Sequence, residues 1–306
     1  MNASFASALT ASHEAAASQH YPQGALYVVA TPIGNLADIT LRALHVLQLA
    51  DTIACEDTRH TQSLLRAYGI DRSPQQLLAL HQHNEAEAAQ SALARLRAGQ
   101  RIAYVSDAGT PAISDPGARL VAAVRAEGLP VVPLPGASSV TTALSVAGIV
   151  NDDVTGFVFA GFLPAKSSER SAAVQSLAGE PRAVVLLEAP HRIEPLAAAL
   201  AALGDRPLTI GRELTKQFEE IATVKAAEFS AWLTAEANRT RGEFVLVLHP
   251  APVADGTGDT EGLRILRLLL AELPLKTAVK LAADISGSSR NTLYDAALAM
   301  KQLNKT

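Results

Sequence analysis

The sequence predicts an α/β fold with two sheets and a small helical module at the C-terminal end. From Gly24 to about Gly148, short apolar runs alternate with amphipathic stretches, the pattern of a mostly parallel sheet covered on both faces. In the next hundred residues the last three apolar runs are joined by fewer helical stretches, which predicts a mixed or antiparallel sheet. Three helix-like stretches then follow a Pro- and Gly-containing segment.

The apolar runs and the helical periodicity place each element in order. The first five strands are predicted at 25–30, 52–55, 77–80, 101–105 and 130–134. The helices between and after them are predicted at 38–50, 59–67, 84–98, 116–127 and 138–147. The second set of strands is predicted at 156–161, 183–188, 207–212, 218–224 and 243–248. The last helices are predicted at 262–272, 275–285 and 289–302.

These elements divide the 306 residues into two domains and a smaller module, as expected for this length. The predicted order is a disordered extension (1–23), a first α/β domain that would hold a ligand (24–148), a second α/β domain (149–250), a linker (251–260) and a helical module (261–306). The extension is rich in Ala and Ser and lacks the basic start and apolar stretch of a secretion signal.

Charge is distributed unevenly along the chain. The net charge of −4 excludes a nucleic-acid binder that works by bulk charge. Residues 261–306 carry seven basic and four acidic side chains, so the module is +3 and the remainder −7. A basic three-helix unit with a Gly turn resembles a helix-turn-helix and indicates a nucleic-acid contact; the alternative is a solvated helical cap.

The single cysteine, Cys55, falls in an apolar run and is predicted to be a buried, inert thiol. One cysteine allows no internal disulfide, which is typical of a reducing, cytoplasmic compartment. No run of about 18 apolar residues is present, so no membrane span is expected.

Three loops rich in Pro and Gly follow predicted strands: 31–35 (TPIGN), 107–117 (DAGTPAISDPG) and 135–139 (PGASS). In open α/β sheets ligands bind beyond the carboxyl ends of the strands, so the three loops are predicted to line one pocket with backbone groups. None matches GxGxxG or GxxxxGK[ST], which argues against a nicotinamide dehydrogenase and a P-loop enzyme.

Polar residues at strand ends are candidates for chemistry. Glu56, Asp57 and Arg59 follow the second strand and could serve proton transfer or substrate positioning. The alternative is that Asp57 or Thr58 caps the next helix and Asp57 pairs with Arg59. Four basic side chains at the ends of later strands could line a groove for a polyanion: Lys166, Arg192, Arg212 and Lys216. The pair His81 and His83 has no third ligand nearby, so no metal is expected.

Eight motifs together resemble the ribosomal RNA small-subunit methyltransferase I family, a group of tetrapyrrole-methylase-like, class III S-adenosylmethionine enzymes. They are TPIGNLADITLRAL, CEDTRHT, SDAGTPAISDPG, PLPGASS, GFLPAK, APHR, RELTK and ELPLKTAVKLAA, and the resemblance runs from about Gly24 to Gln302. It implies a two-domain homodimer that holds S-adenosylmethionine between its domains. It also implies 2′-O-methylation of a cytidine in the decoding region of 16S rRNA in the small ribosomal subunit.

The resemblance also implies roles for individual residues. The cofactor would be held by Pro32, Gly34, Asp107, Gly109, Thr110, Ser138 and Ser139, and it stays open whether the two serines act through hydroxyl or backbone. Glu56, Asp57 and Asp107 are candidates to take the ribose proton. Arg59, Lys166, Arg192 and Arg212 are candidates to hold the RNA. The competing functions are a tetrapyrrole-type small-molecule methyltransferase and a non-catalytic RNA-binding protein.

Overall fold

Two five-stranded sheets organise the larger unit of the chain, Met1–Pro250; the second unit is Ala251–Thr306. The computed structural model describes residues 5–81, 84–114, 116–150, 156–251 and 257–303. Among these residues, no helix is long and apolar enough to cross a bilayer.

The first sheet is parallel throughout, as predicted, and its strands run in the order β3-β2-β4-β1-β5. The strands are β1 (Leu26–Val29), β2 (Thr52–Cys55), β3 (Leu77–Ala79), β4 (Ile102–Val105) and β5 (Val131–Leu134). The helices of this half are α1 (Ala6–Ala16), α2 (Leu41–Leu49), α3 (Thr58–Ala67), α4 (Glu85–Arg97), α5 (Ala118–Ala126) and α6 (Ser139–Val146). The order places the ends of β4, β1 and β5 side by side.

Both faces of this sheet are buried because neighbouring residues of each strand face opposite ways. In β1, Tyr27 and Val29 pack with α2, while Leu26 packs with α4 and α5. Cys55 at the end of β2 is fully buried, and burial raises the pKa of its thiol to about 11. The prediction of a buried thiol is therefore confirmed, and a raised pKa is consistent with low reactivity.

The second sheet is mixed, as predicted, with the order β6-β7-β10-β8-β9. Only β6 and β7 pair in parallel; β7, β10, β8 and β9 pair antiparallel. Its strands are β6 (Phe157–Gly161), β7 (Ala183–Glu188), β8 (Pro207–Arg212), β9 (Glu220–Lys225) and β10 (Phe244–Leu248). Helices α7 (Ser167–Leu177), α8 (Ile193–Leu200) and α9 (Phe229–Ala235) cover one face.

The other face of the second sheet is covered by α6, which follows the first sheet in sequence. Val140, Ala143 and Ala147 pack against Val185 and Val247 in one apolar cluster. This packing joins the two sheets into a single unit.

The N-terminal extension departs from the prediction. Residues 6–16 of the predicted disordered segment 1–23 form helix α1, and residues 1–4 lie outside the described residues. Phe5 and Leu9 pack on the core of the first sheet, and the Phe5 ring meets Tyr68 with centroids 5.0 Å apart. The Ala- and Ser-rich composition gave no sign of this helix. A few apolar contacts with the core of the first sheet are enough to order it.

The second unit is a three-helix module of α10 (Thr257–Glu272), α11 (Leu275–Ser286) and α12 (Arg290–Leu303). Its core contains Leu266, Ala278, Val279, Ala282 and Leu293. Gly287 ends α11 with a φ of 73°, the left-handed C-cap that glycine favours. Helix α10 begins inside the predicted linker 251–260, of which 252–256 lie outside the described residues.

Candidate active site

The loops after β1, β4 and β5 meet, as the sequence predicts. Thr31 and Gly109 exchange backbone hydrogen bonds of 2.9 and 3.0 Å, which ties the first loop to the second. The Thr110 hydroxyl donates to the Ala137 carbonyl at 3.1 Å, which ties the second loop to the third. Gly109 has a φ of 80°, a backbone conformation that glycine adopts without strain.

A cleft of about 230 Å³ lies between these loops and the second sheet. Four of the predicted cofactor residues line it: Gly109, Thr110, Ser138 and Ser139. The other three do not line it. Pro32 and Gly34 flank the lining residue Ile33, and Asp107 directly precedes the lining residue Ala108. The opposite wall consists of residues from β7, β10 and the loop after β8: Leu187, Glu188, Ala189, Leu214, Lys216, Glu243, Phe244 and Val245.

Backbone strain concentrates at this cleft. Among the described residues, four non-glycine residues have a positive φ: Ala112, Ser114, Glu213 and Thr215. The first two lie in the loop after β4, and the other two lie in the loop after β8. Such conformations cost free energy and cluster at functional sites, so they make these two loops candidates for a functional role.

Position 34 requires a glycine for a steric reason that the sequence did not show. A Cβ on this residue would lie 2.5 Å from Lys216 Cγ and 2.8 Å from Thr215 Oγ1, both on the opposite loop. The Asn35 N–H also donates to Thr215 Oγ1 at 3.1 Å. Gly34 therefore lets the loop after β1 close against the loop after β8.

Lys216 stands at the centre of an ion-pair cluster on that wall. Its ammonium group lies 2.8 Å from Glu213 Oε1 and 2.9 Å from Glu243 Oε2. Burial lowers the pKa of Lys216, but its two carboxylate partners outweigh burial and leave the pKa above its ordinary value. Lys216 lines the cleft as a paired cation, so its positive charge is shared with two carboxylates before any polyanion arrives.

The three candidate bases differ in their surroundings. Asp57 caps α3, and its Oδ1 accepts from the backbone N–H groups of Arg59 at 2.8 Å and His60 at 3.3 Å. Hydrogen bonds from the Arg59 side chain and from these N–H groups lower the pKa of Asp57 to about 2. Asp107 and Glu56 are half-buried, and Asp107 Oδ1 accepts from the Asp57 N–H at 3.4 Å. The structure thus brings Asp57 and Asp107 together but gives Asp57 the capping role.

The predicted RNA-contact residues fall into two groups. Arg59 and Lys166 have exposed side chains, each paired with a nearby carboxylate, Asp57 and Glu169 respectively. Arg192 is mostly buried, and its guanidinium donates to the Leu163 carbonyl.

Arg212, which the sequence analysis predicts to hold RNA, makes structural contacts in the protein interior. Its side chain is only 9% exposed, and it donates to the carbonyls of Arg241 and Phe218 at 2.8 and 3.2 Å. These bonds tie the end of β8 to the β8–β9 loop and to the segment before β10, and they commit the guanidinium to the protein interior.

Glu188 is a site residue that the sequence analysis missed. It is the last residue of β7, its side chain is 1% exposed, and it lines the cleft. A carboxylate that ends an otherwise apolar strand was the available signal, because such a residue is buried with the strand.

No group of His, Cys, Asp and Glu side chains in the described part of the chain has the arrangement of a metal site. Gln82 and His83 of the weak His81–His83 candidate lie outside the described residues.

Comparison with known proteins gives the family. The model for Tetrapyrrole (Corrin/Porphyrin) Methylases matches residues 25–230, and the model for the RsmI C-terminal HTH domain matches 256–301. The Ribosomal RNA small subunit methyltransferase I of Escherichia coli O157:H7 is 49% identical over 278 residues, which is 90% of this chain and 95% of that protein. The protein of the same name from Pseudomonas aeruginosa is 45% identical over 90% of this chain and 97% of that protein. The chain belongs to the ribosomal RNA small subunit methyltransferase I family.

Solved structures share the fold of this methyltransferase I family member at low identity. The cobalt precorrin-4 methyltransferase CbiF has a TM-score of 0.56 and 19% identity, covering 76% of this chain and 98% of that one. A uroporphyrin-III C-methyltransferase from Thermus thermophilus, complexed with S-adenosyl homocysteine, has a TM-score of 0.50 and 18% identity, covering 72% and 96%. These likenesses confirm the predicted fold class.

Proposed function

We propose that the protein transfers the methyl group of S-adenosylmethionine to the 2′-hydroxyl of a cytidine in the decoding region of 16S rRNA. Membership of the methyltransferase I family supports the coarser statement, an S-adenosylmethionine-dependent rRNA methyltransferase. The position of the cleft carries the proposal: it lies at the ends of three adjacent parallel strands and is closed by the second sheet.

The residues of the cleft fit a small, polar nucleoside cofactor. Gly109 exposes its backbone to the cleft without a side chain. A Cβ at this position would lie only 3.3 Å from Ile33 Cγ2, so the loops after β1 and β4 are closely packed here. The first turn of α6 presents Ser138 and Ser139 to the cleft, and free N–H groups at a helix start suit a carboxylate. Gly109, Thr110, Ser138 and Ser139 would hold the cofactor, with Pro32, Gly34 and Asp107 shaping the loops behind them.

When bound, the cofactor supplies a methyl group activated by a sulfonium. The protein then has to align the ribose oxygen with that methyl carbon, and such alignment is worth about 7–11 kcal/mol in favourable cases. A carboxylate that removes the hydroxyl proton as the bond forms adds general-base catalysis.

Among the candidate bases, Asp107 is the first choice and Glu56 the second. Asp107 directly precedes a lining residue, whereas Asp57 is committed to its helix cap. A carboxylate with a pKa of about 2 is also a weak base at neutral pH. Single-turnover methyl transfer by Asp107→Asn, Glu56→Gln and Asp57→Asn tests this order, with cofactor binding measured in parallel. A full rate in Asp107→Asn removes Asp107 as the base.

We propose that the C-terminal module and exposed basic side chains such as Lys166 and Arg59 contact the RNA. The match to an HTH domain and the +3 charge of residues 261–306 support this role. A free tetrapyrrole would not require such a module. We also propose that the protein acts as a homodimer, which sedimentation equilibrium tests.

The decisive experiment is mass mapping of 2′-O-methyl groups on 16S rRNA from cells without this protein. We expect one decoding-region cytidine to lose its mark and to regain it when the wild-type chain is supplied. Retention of every mark would reject the proposed function. If the marks remain but the purified protein binds S-adenosylmethionine and methylates a tetrapyrrole, the small-molecule alternative is correct.

A further inference from the structure

Glu188 has a buried carboxylate oxygen that the described part of the protein does not satisfy. Oε1 accepts from the Ala189 N–H at 3.0 Å and lies 3.1 Å from Arg192 Nε. Oε2 is buried and has no hydrogen-bond partner among the described residues. One half of the carboxylate is therefore anchored and the other half is not.

Arg192 does not supply the missing hydrogen bond to Glu188 Oε2. Its Nε is itself without a hydrogen bond in the described structure, so its approach to Oε1 is an ion pair without hydrogen-bond alignment. Its terminal nitrogen is committed to the Leu163 carbonyl on the loop after β6. The guanidinium thus balances the charge of Glu188 but leaves Oε2 unsatisfied.

An unsatisfied buried oxygen is costly, and it is more costly on a charged group. Such a group is completed by an ordered water, an ion or a ligand, and a position that lines a cleft favours the ligand. Glu188 lines the cleft, on the wall opposite Gly109 and Ser138. The carboxylate of a residue that lines the cleft can accept a hydrogen bond from a molecule bound there.

We propose that Glu188 binds the methyl donor, with Oε2 accepting a hydrogen bond from an N–H or O–H group of S-adenosylmethionine. This proposal rests on the proposed function, because it takes that cofactor as the ligand. The side chain is 1% exposed, which suits a contact with a small molecule enclosed in the cleft better than a contact with a nucleotide held at the protein surface. Glu188 is therefore assigned to cofactor binding and not to the RNA.

Glu188→Gln is the informative variant because it keeps the size of the side chain. The single amide oxygen of glutamine is needed by the Ala189 N–H, so the amide NH₂ replaces Oε2 and meets the cofactor donor with another donor. We expect the dissociation constant for S-adenosylmethionine to rise about 10- to 100-fold, as for loss of a hydrogen bond to a charged group. Glu194→Gln, an exposed position on α8, is the matched control and should bind as the wild type does.

Calorimetric titrations with S-adenosylmethionine and S-adenosylhomocysteine separate the outcomes. Both molecules keep every N–H and O–H donor, so the losses in Glu188→Gln should agree within about threefold. Glu188→Gln also removes the charge that Arg192 faces, so a lower melting temperature without cofactor is expected and the titrations are made well below it. Arg192→Gln breaks the same ion pair but keeps Oε2, so it should retain more affinity than Glu188→Gln. A loss confined to the sulfonium would overturn the hydrogen-bond assignment, and an equal loss of affinity in Arg192→Gln would make Glu188 a structural residue instead.

The two proposals fail in different ways. If the wild type binds S-adenosylmethionine and Glu188→Gln binds it equally well, the assignment of Glu188 is wrong and the proposed function stands. If the wild type binds neither molecule, both proposals are wrong.

Discussion

Replacement of Gly34 by alanine tests whether the contact between the two loops stabilises the fold. The new Cβ would lie 2.5 Å from Lys216 Cγ, 2.8 Å from Thr215 Oγ1 and 3.1 Å from the Leu214 carbonyl oxygen. Lys216 can swing away at the cost of two partly exposed ion pairs, each worth less than about 1 kcal/mol. The Leu214 carbonyl belongs to the backbone and cannot move alone. We therefore expect Gly34→Ala to lower the free energy of unfolding by about 1–3 kcal/mol, as overpacking does.

Urea unfolding followed by circular dichroism measures this loss, and the matched control is Gly179→Ala. A Cβ at Gly179 meets no atom within 4 Å, so that variant should unfold as the wild type does. For a unit of this size the expected loss lowers the melting temperature by about 2–12 °C. Adding Lys216→Ala to Gly34→Ala removes one of the clashing atoms, so the two substitutions should couple favourably. If Gly34→Ala and Gly179→Ala unfold alike, the steric argument for Gly34 is refuted.

Three further outcomes follow from the buried and capping charges. The buried guanidinium of Arg206 donates to four backbone carbonyls. Arg206→Lys should therefore lower the free energy of unfolding in urea by about 3–5 kcal/mol. A decrease of less than about 1 kcal/mol would contradict this role. The pKa of Asp57 is lowered to about 2, so its stabilisation is present above its ordinary pKa and is lost as pH falls toward 2. Asp57→Asn keeps a capping oxygen but removes the charge, so the stability gap between wild type and this variant should close over that range, and a constant gap would refute the contribution of the charge. Burial and the neighbouring His13 lower the pKa of His45, so the unfolded chain binds this proton more readily than the folded protein does. The stability of the wild type should therefore fall as the pH drops below about 6.5. In melting scans from pH 8 to pH 5, His45→Phe should lose less stability than the wild type, and an equal loss would contradict this explanation.

The strands were predictable because parallel and antiparallel sheets leave different patterns in the sequence. Thr52–Cys55, Ala183–Glu188 and Pro207–Arg212 match their predicted bounds, since each is a short apolar run with clear ends. The parallel first sheet and the mixed second sheet followed from the spacing of helices between those runs. Helix α1 was missed because its order comes from contacts with the core of the first sheet, and such contacts leave no periodic signal.

The candidate site shows what cannot be predicted from the position of a polar residue at the end of a strand. Parallel topology brings polar residues of different strands together, as it does for Asp57 and Asp107, but it does not say which groups are free to react. Asp57 caps the start of α3, and Arg212 donates to one carbonyl in the β8–β9 loop and to another in the segment before β10. Both commitments depend on atoms placed by the folded backbone. Glu188 is the reverse case, because only the count of its partners in three dimensions reveals an oxygen left over for a ligand. Polar groups that the fold leaves without a partner are therefore the candidates for function in this cleft, and they can be found only after every local hydrogen bond is assigned.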